Sequence, residues 1–335
     1  MTTGILFAAL LAAAFLITVL VLRRLIPFLK SRKMGQKILE IGPRWHKSKE
    51  GTPTMGGLAF IAAILVSGCG ACAALGVTEG IRGALPLVFT LLLGVAGGLI
   101  GFVDDLAKFR KKQNEGLTAP QKFLLQVLAA GLYLFGMAMV LGPDTGVYFP
   151  FLDKTVDFGI FYYVLALLLI TGVMNSVNLT DGLDGLCSGV TLTVGVFFTL
   201  AGFLTASAAP DGSLVSLGAL LIGGCAGFLV YNFYPARVFM GDTGSLFLGG
   251  LVVGGAFMMK NPLLVIVFGI WYIVETASVM LQVGYFKLTH GKRLFKMSPI
   301  HHHFEKCGWS EIKIGVMAML VTAAGAAVSL LWGLR

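Results

Sequence analysis

Ten almost uninterrupted apolar stretches, most near the length of about 20 residues that a helix needs to cross a bilayer, constrain this chain before any motif is considered. They run from Ile5 to Leu22, Gly56 to Gly76, Leu85 to Val103, Phe123 to Leu141, Gly159 to Val177, Leu186 to Ala206, Leu214 to Val230, Leu246 to Met259, Pro262 to Phe286 and Ile312 to Leu334. Inside lipid the backbone has no water to bond, so each stretch must close its own hydrogen bonds as a helix. Only 12% of the residues are charged, against roughly 25% in an ordinary soluble domain. The expected fold is an all-α polytopic membrane protein, with ten transmembrane helices in a single integral membrane domain over residues 1–335. The eighth stretch is short for one crossing and the ninth is long.

No basic residue precedes the first stretch and Arg23 and Arg24 follow it, the reverse of a cleavable signal, so it is expected to remain as an anchor. Short loops rich in Lys and Arg stay in the cytoplasm. Placing the first, third, fifth, seventh and ninth loops inside accounts for all 25 Lys and Arg except Arg82, Lys154, Lys260 and Arg335. Both termini then face outward. A net charge of +9 gathered on inward loops suits the lipid bilayer's anionic headgroups and anionic substrates. Nucleic acid is excluded as a partner, because no basic, aromatic-studded soluble domain exists to hold it. Cys69 and Cys72 form a CxxC inside a span and read as packing, and the five cysteines suggest no disulfide framework. Between the fourth and fifth spans, GVYFPFLDKTVDFG (Gly146 to Gly159) alternates apolar and polar residues around Asp153 and Lys154, the pattern of a small external hairpin.

With the topology set, the polar residues fall on one face. Glu40, Glu50, Asp104, Asp105, Glu115, Asp181, Asp184, Asp242, Glu305 and Glu311 all lie inward, while Glu275 sits within the ninth stretch. The segments EIGPRWHKSKEGTPTMGG, DDLAKFRKK, NLTDGLDG, YNFYPARVFMGDTGSL and KMSPIHHHFEKCGW belong to five inward loops that are expected to meet at one inner-leaflet site.

Asp104, Lys108 and Lys112 are spaced i, i+4, i+8, so they line one face if the third span continues as a helix, with Asp105 beside them. A solvated helix end with an ion pair would look the same. Asp181 and Asp184 follow Asn175 and Asn178 in the third inward loop, where Gly182 and Gly185 allow a tight turn. A helix cap explains one of those four polar residues but not all of them. Asp242 sits between glycines at the expected start of the eighth span, where helix amides favour an anion such as phosphate. An acid there would repel phosphate unless a cation lies between them. Magnesium, held by one or two carboxylates and by substrate phosphates, meets that need, with Lys108, Lys112 and Lys122 as fixed positive charge. Asp104, Asp105 and Asp242 are the candidate metal ligands, and phosphoryl transfer at the membrane surface is the implied chemistry.

GTPTMGG, DDLAK, NLTDGLDGL, NFYPARVFMGDTGSL and PIHHHFE, in this order between ten spans, resemble the phospho-N-acetylmuramoyl-pentapeptide transferase family. That family lies within the polyprenyl-phosphate N-acetylhexosamine-1-phosphate transferase superfamily. The resemblance covers nearly the whole chain, and GTPTMGG with the triple histidine marks the muramoyl-pentapeptide branch. It implies transfer from UDP-N-acetylmuramoyl-pentapeptide to undecaprenyl phosphate, giving lipid I and UMP, in the bacterial cytoplasmic membrane with catalytic loops on the cytoplasmic side. It also implies that Asp242 coordinates magnesium with Asp105 nearby, and that Asp104 is the base acting on the lipid phosphate. Phe239 would stack on uracil, while Asn178, Asp181, Asn232 and Gly241 help form the uridine pocket. Asp184 reads equally as a substrate contact or a cap. A homodimer is implied by the family alone.

His301, His302 and His303 are consecutive, so they cannot all face one ion, and the spaced ligand pattern of zinc is missing even with Cys307 nearby. Imidazoles donating to phosphate or sugar oxygens fit better, with His302 the catalytic candidate and His301 and His303 binding substrate. His46, Lys47 and Lys49 are weaker candidates. Glu275 costs about 2.5 kcal/mol or more inside a span and needs a partner or a task. It reads as an interhelical hydrogen-bonding or groove residue, with Gln282 seven residues on along the same face as a substrate contact. Two other readings stand beside the main one: a superfamily enzyme handing on a different amino-sugar phosphate, and an ion-coupled transporter using Glu275.

Overall fold

The computed structural model describes residues 3–32, 35, 49–111, 116–149, 152–204 and 211–333. Lys112, His46 and Lys47, named above as candidates, lie outside the described residues. In chain order the elements are α1 (Thr3–Ser31), α2 (Gly57–Thr78), α3 (Gly80–Lys111), α4 (Ala119–Leu141), β1 (Gly146–Phe149), β2 (Lys154–Asp157), α5 (Ile160–Thr180), α6 (Leu186–Leu204), α7 (Gly212–Asn232), α8 (Gly241–Met258), α9 (Val265–Phe268), α10 (Ile270–Leu288), α11 (Ile300–Lys306) and α12 (Glu311–Gly333). The protein is an all-helical polytopic membrane protein. Among the described residues nine helices are long and apolar enough to cross a membrane.

The ninth apolar stretch is sharply bent, and this corrects the expectation of one continuous span from Pro262 to Phe286. The segments Pro262–Phe268 and Ile270–Leu288 meet at 84°. Pro262, which brings no backbone N–H, starts the short arm, and Gly269 leaves the helical region at φ −97° and ψ 23°, so the ladder breaks at Gly269. The short arm packs against α12, where a Cβ at Gly325 would collide with the Val267 carbonyl. The longer arm, α10, carries Glu275 and Gln282.

The expected hairpin is present. β1 and β2 pair antiparallel, with Gly146 opposite Asp157 and Phe149 opposite Lys154. Asn261 donates to the Tyr148 carbonyl at 3.1 Å, which ties the hairpin to the end of α8.

α8 is the most enclosed of the spans, and it packs against α2, α3 and α5. Lipid is as apolar as leucine, so helices in a membrane gain little from hydrophobic burial against each other and rely on close packing of small residues. The α3–α8 contact follows that rule: a Cβ on Gly97 would meet the Leu246 carbonyl at 2.5 Å, and one on Gly101 would collide with the Asp242 carbonyl. α3 has 32 residues, about 48 Å of helix, which is longer than a bilayer core of about 30 Å. Its charged last turns, rather than its apolar remainder, are the part expected to lie past the apolar layer, and they carry Asp104, Asp105 and Lys108 alongside the first turn of α8.

Gly101→Ala is expected to force these helices apart, at about 1–3 kcal/mol as for other overpacked sites. Thermal unfolding in detergent should show a lowered midpoint, while Gly131→Ala on α4, with nothing within 4 Å, should not lower it. An unchanged midpoint for Gly101→Ala would contradict the packing argument.

Candidate active site

The end of α3, the start of α4, the α5–α6 turn and the start of α8 converge on three carboxylates. Oxygen atoms of Asp104, Asp105 and Asp242 lie within 4.8 Å of one another. Like charges at that spacing need compensation, and two ammonium groups supply it. Lys108 Nζ is 2.6 Å from Asp104 Oδ2 and 3.0 Å from Asp242 Oδ2, and Lys122 Nζ is 2.7 Å from Asp242 Oδ2. Lys122 reaches inward from the first turn of α4, whose start is set by Gln121 Oε1 accepting the Thr118 N–H.

The three acids are held differently. Asp105 caps α8 from another helix: its Oδ2 accepts the N–H of Thr243 at 3.0 Å and the Thr243 hydroxyl at 2.7 Å, and its Oδ1 accepts the Asp242 N–H at 3.3 Å. Those amides are among the first four of α8, which have no partner within the helix. Asp242 Oδ1 accepts from Asn178 Nδ2 at 2.9 Å, and the same amide reaches Ser245 at 2.8 Å. Asp104 Oδ1 accepts the Leu117 N–H at 2.8 Å, leaving Oδ2 turned to Lys108. Hard carboxylate oxygens at this spacing fit a magnesium ion. Asp242 and Asp104 would hold it with Asp105 Oδ1, since Asp105 Oδ2 already accepts two protein donors.

Gly241 enters α8 with φ +71°, a left-handed conformation that favours glycine. The segment before it is clamped by the first loop: Phe239 donates its N–H to the Pro53 carbonyl at 2.8 Å, and the Phe239 and Met240 carbonyls accept from Gly56 and Gly57 at 2.8 and 3.1 Å. Thus GTPTMGG has a geometric task, which was not evident from the sequence. It fixes the backbone that leads into Asp242, and Phe239 is half-buried three residues before that carboxylate.

Other candidates are engaged by protein partners. Asn232 is buried, donates to the Val238 carbonyl at 2.9 Å and accepts from Gly185 N–H and the Ser188 hydroxyl, both at 3.1 Å. Asn175 exchanges bonds with Gln126 on α4, at 2.7 and 3.3 Å. Gln282 accepts the Phe295 N–H at 2.8 Å and so anchors the α10–α11 connection. Asp184 pairs with Lys49 at 2.6 Å and accepts the Ala236 N–H at 2.8 Å, and Lys49 also meets Glu311 at 2.6 Å. Asp181 lies at the end of α5; burial, then the carboxylates of Asp242, Asp105 and Asp184, push its pKa well above the ordinary carboxylate range. His301 Nδ1 is 3.0 Å from Glu275, His302 Nδ1 is 2.6 Å from Glu305, and His303 Nδ1 accepts the Lys296 N–H at 3.1 Å. Lys49 and Glu275 carried weak sequence signals; Glu311 and Gln126 carried none, because their partners are more than 40 residues away.

Residues 87–260 match the family model described as glycosyl transferase family 4, and residues 49–61 match the phospho-N-acetylmuramoyl-pentapeptide-transferase signature 1. Curated proteins named phospho-N-acetylmuramoyl-pentapeptide-transferase align along most of the chain. That of Clostridioides difficile is 41% identical over 95% of both chains. The chain belongs to the phospho-N-acetylmuramoyl-pentapeptide-transferase family. The Heliobacterium modesticaldum relative is 47% identical over 87% of this chain and 86% of its own, and that of Caldicellulosiruptor bescii is 44% identical over 92% of each. The family signature covers Pro53, Gly56 and Gly57, the residues that clamp the approach to Asp242.

Asp105→Asn replaces one acceptor oxygen by a donor that faces amide N–H groups. The expected loss is about 1–2 kcal/mol, as for other helix caps. A thermal midpoint equal to or above wild type would show that relief of the repulsion from Asp242 outweighs the cap.

Proposed function

We propose that this transferase moves phospho-N-acetylmuramoyl-pentapeptide from its UDP-linked donor to undecaprenyl phosphate, forming lipid I and UMP with magnesium as cofactor. The observation that carries this reading is the cluster of Asp104, Asp105 and Asp242 beside Lys108 and Lys122, at the projecting end of α3 in a chain of this family. Membership supports the donor and acceptor classes, because the relatives' shared name specifies the transferred group. The distribution of Lys and Arg supports a cytoplasmic position for the site and external termini. A water-soluble nucleotide sugar and a lipid phosphate can meet only at such a boundary.

Magnesium bound at the carboxylates would supply charge stabilisation at the diphosphate. The chain's own groups do the rest. Asn178 orients Asp242, and Asp105 fixes the first turn of α8. Lys108 and Lys122 provide two positive charges for phosphate oxygens. Asp104, held through Oδ1 by Leu117 N–H and paired through Oδ2 with Lys108, would take up the acceptor phosphate's proton at Oδ2 when Lys108 turns to phosphate oxygens. That demand is modest, since a phosphate monoester has a second pKa of about 6. Direct in-line attack with the protein as positioner is the reading favoured here over an aspartyl-phosphate route. Family membership weighs against an ion-coupled transporter, and Glu275 has a partner in His301.

Purified protein with magnesium, undecaprenyl phosphate and UDP-N-acetylmuramoyl-pentapeptide should release UMP. Asp242→Asn should reduce turnover by about 10²-fold or more. Release with UDP-N-acetylglucosamine and none with the muramoyl-pentapeptide donor would overturn the assignment in favour of another branch of the superfamily.

A further inference from the structure

Glu275 and His301 form a buried pair that the reaction as described does not use. Glu275 is 0% exposed and His301 is 1% exposed, and they come from different elements, α10 and α11. Glu275 Oε2 is 3.0 Å from His301 Nδ1 and 3.5 Å from the His301 backbone N–H. An oxygen that accepts a backbone N–H serves as acceptor for the ring as well, so the Nδ1 position carries the proton and points it at the carboxylate. The opposite nitrogen, Nε2, is buried and has no protein partner. It abuts Gly182, where a Cβ would collide with it. Gly182 stands between Asp181 and Asp184, whose turn borders the acid cluster. A buried nitrogen without a partner costs free energy unless a ligand atom meets it.

We propose that Glu275 is a positioning residue: it locks the His301 ring with its proton on Nδ1, so that Nε2, an acceptor in this tautomer, is held at the Asp181–Asp184 turn for a hydroxyl O–H of the donor substrate. A carboxylate behind a histidine commonly sets both the tautomer and the ring orientation in this way. The bent arm makes the pairing: the 84° break at Gly269 redirects α10, and Glu275 lies 26 residues before its partner. The ring of His302 lies 4.2 Å from that of His301, centroid to centroid, so a rotated His301 would also disturb its neighbour.

The kinetic part of the test rests on the transferase reading above; the spectroscopic part does not. Full-length protein labelled with 15N-histidine is compared with Glu275→Gln and, for assignment, His301→Asn. Wild type should show a His301 signal protonated at Nδ1, and Glu275→Gln, whose amide can turn a donor toward Nδ1, should shift it toward the other tautomer. Turnover in the UMP-release assay should fall on the order of 10-fold to 100-fold for Glu275→Gln with an unchanged thermal midpoint. The double variant Glu275→Gln/His301→Asn should be no slower than His301→Asn. An unchanged 15N signal in Glu275→Gln, or losses that multiply in the double variant, would overturn the proposal, as would a fall in midpoint that accounts for the whole loss. If wild type fails to turn over the muramoyl-pentapeptide donor, the transferase reading fails while the tautomer shift still decides the role of Glu275.

Discussion

The close crossing of α3 and α8 governs the rest of the structure. Gly97 and Gly101 let one helix lie against the backbone of the other, and the carboxylates of Asp104 and Asp105 thereby arrive beside Asp242, 137 residues after Asp105 in the chain. Two unit charges 4 Å apart interact by about 4 kcal/mol at an effective dielectric of 20, so three adjacent carboxylates would push the helices apart. Lys108 and Lys122 oppose that repulsion directly. The free amides at the start of α8 oppose it too, because Asp105 accepts from them. Packing and electrostatics are therefore one problem here. The small residues permit the contact, and the cations and helix start make its charge tolerable.

Around this crossing the inward-reading loops are fastened to each other by polar bonds. The GTPTMGG segment holds the backbone at Phe239 and Met240, and Asn232 joins the α5–α6 turn to the approach of α8. Lys49 joins Asp184 to Glu311 at the head of α12. Glu275 fixes His301 against Gly182. A site assembled from loops gains rigidity when backbone and side-chain atoms of one loop bond those of another, as these do.

Much of this arrangement was legible in the sequence, for definite reasons. Apolar run length revealed the spans, and i, i+4 spacing revealed the ion pair of Asp104 and Lys108, because α3 does continue as a helix. Alternation revealed the hairpin. The break at Gly269 was hidden, since an apolar run reads the same whether straight or bent; only Pro262 and Gly269 hinted at it. Asp105 as a cap for α8, Asn175 with Gln126, and Gln282 with Phe295 were hidden for a different reason. Such bonds join distant elements and leave no local period or spacing. Polar residues near a site were read as facing ligand, whereas several of them face the protein.

The central claim is that Asp104 and Asp242, with Asp105, create one divalent-ion position where the bundle's polar end meets the lipid boundary. Manganese, a paramagnetic substitute for magnesium, allows this to be measured by electron paramagnetic resonance on the purified full-length protein in the presence of UMP. The account requires about one bound manganese per chain, displaced by magnesium and lost in Asp242→Asn. Equal manganese binding in wild type and Asp242→Asn, or none in wild type, would contradict it.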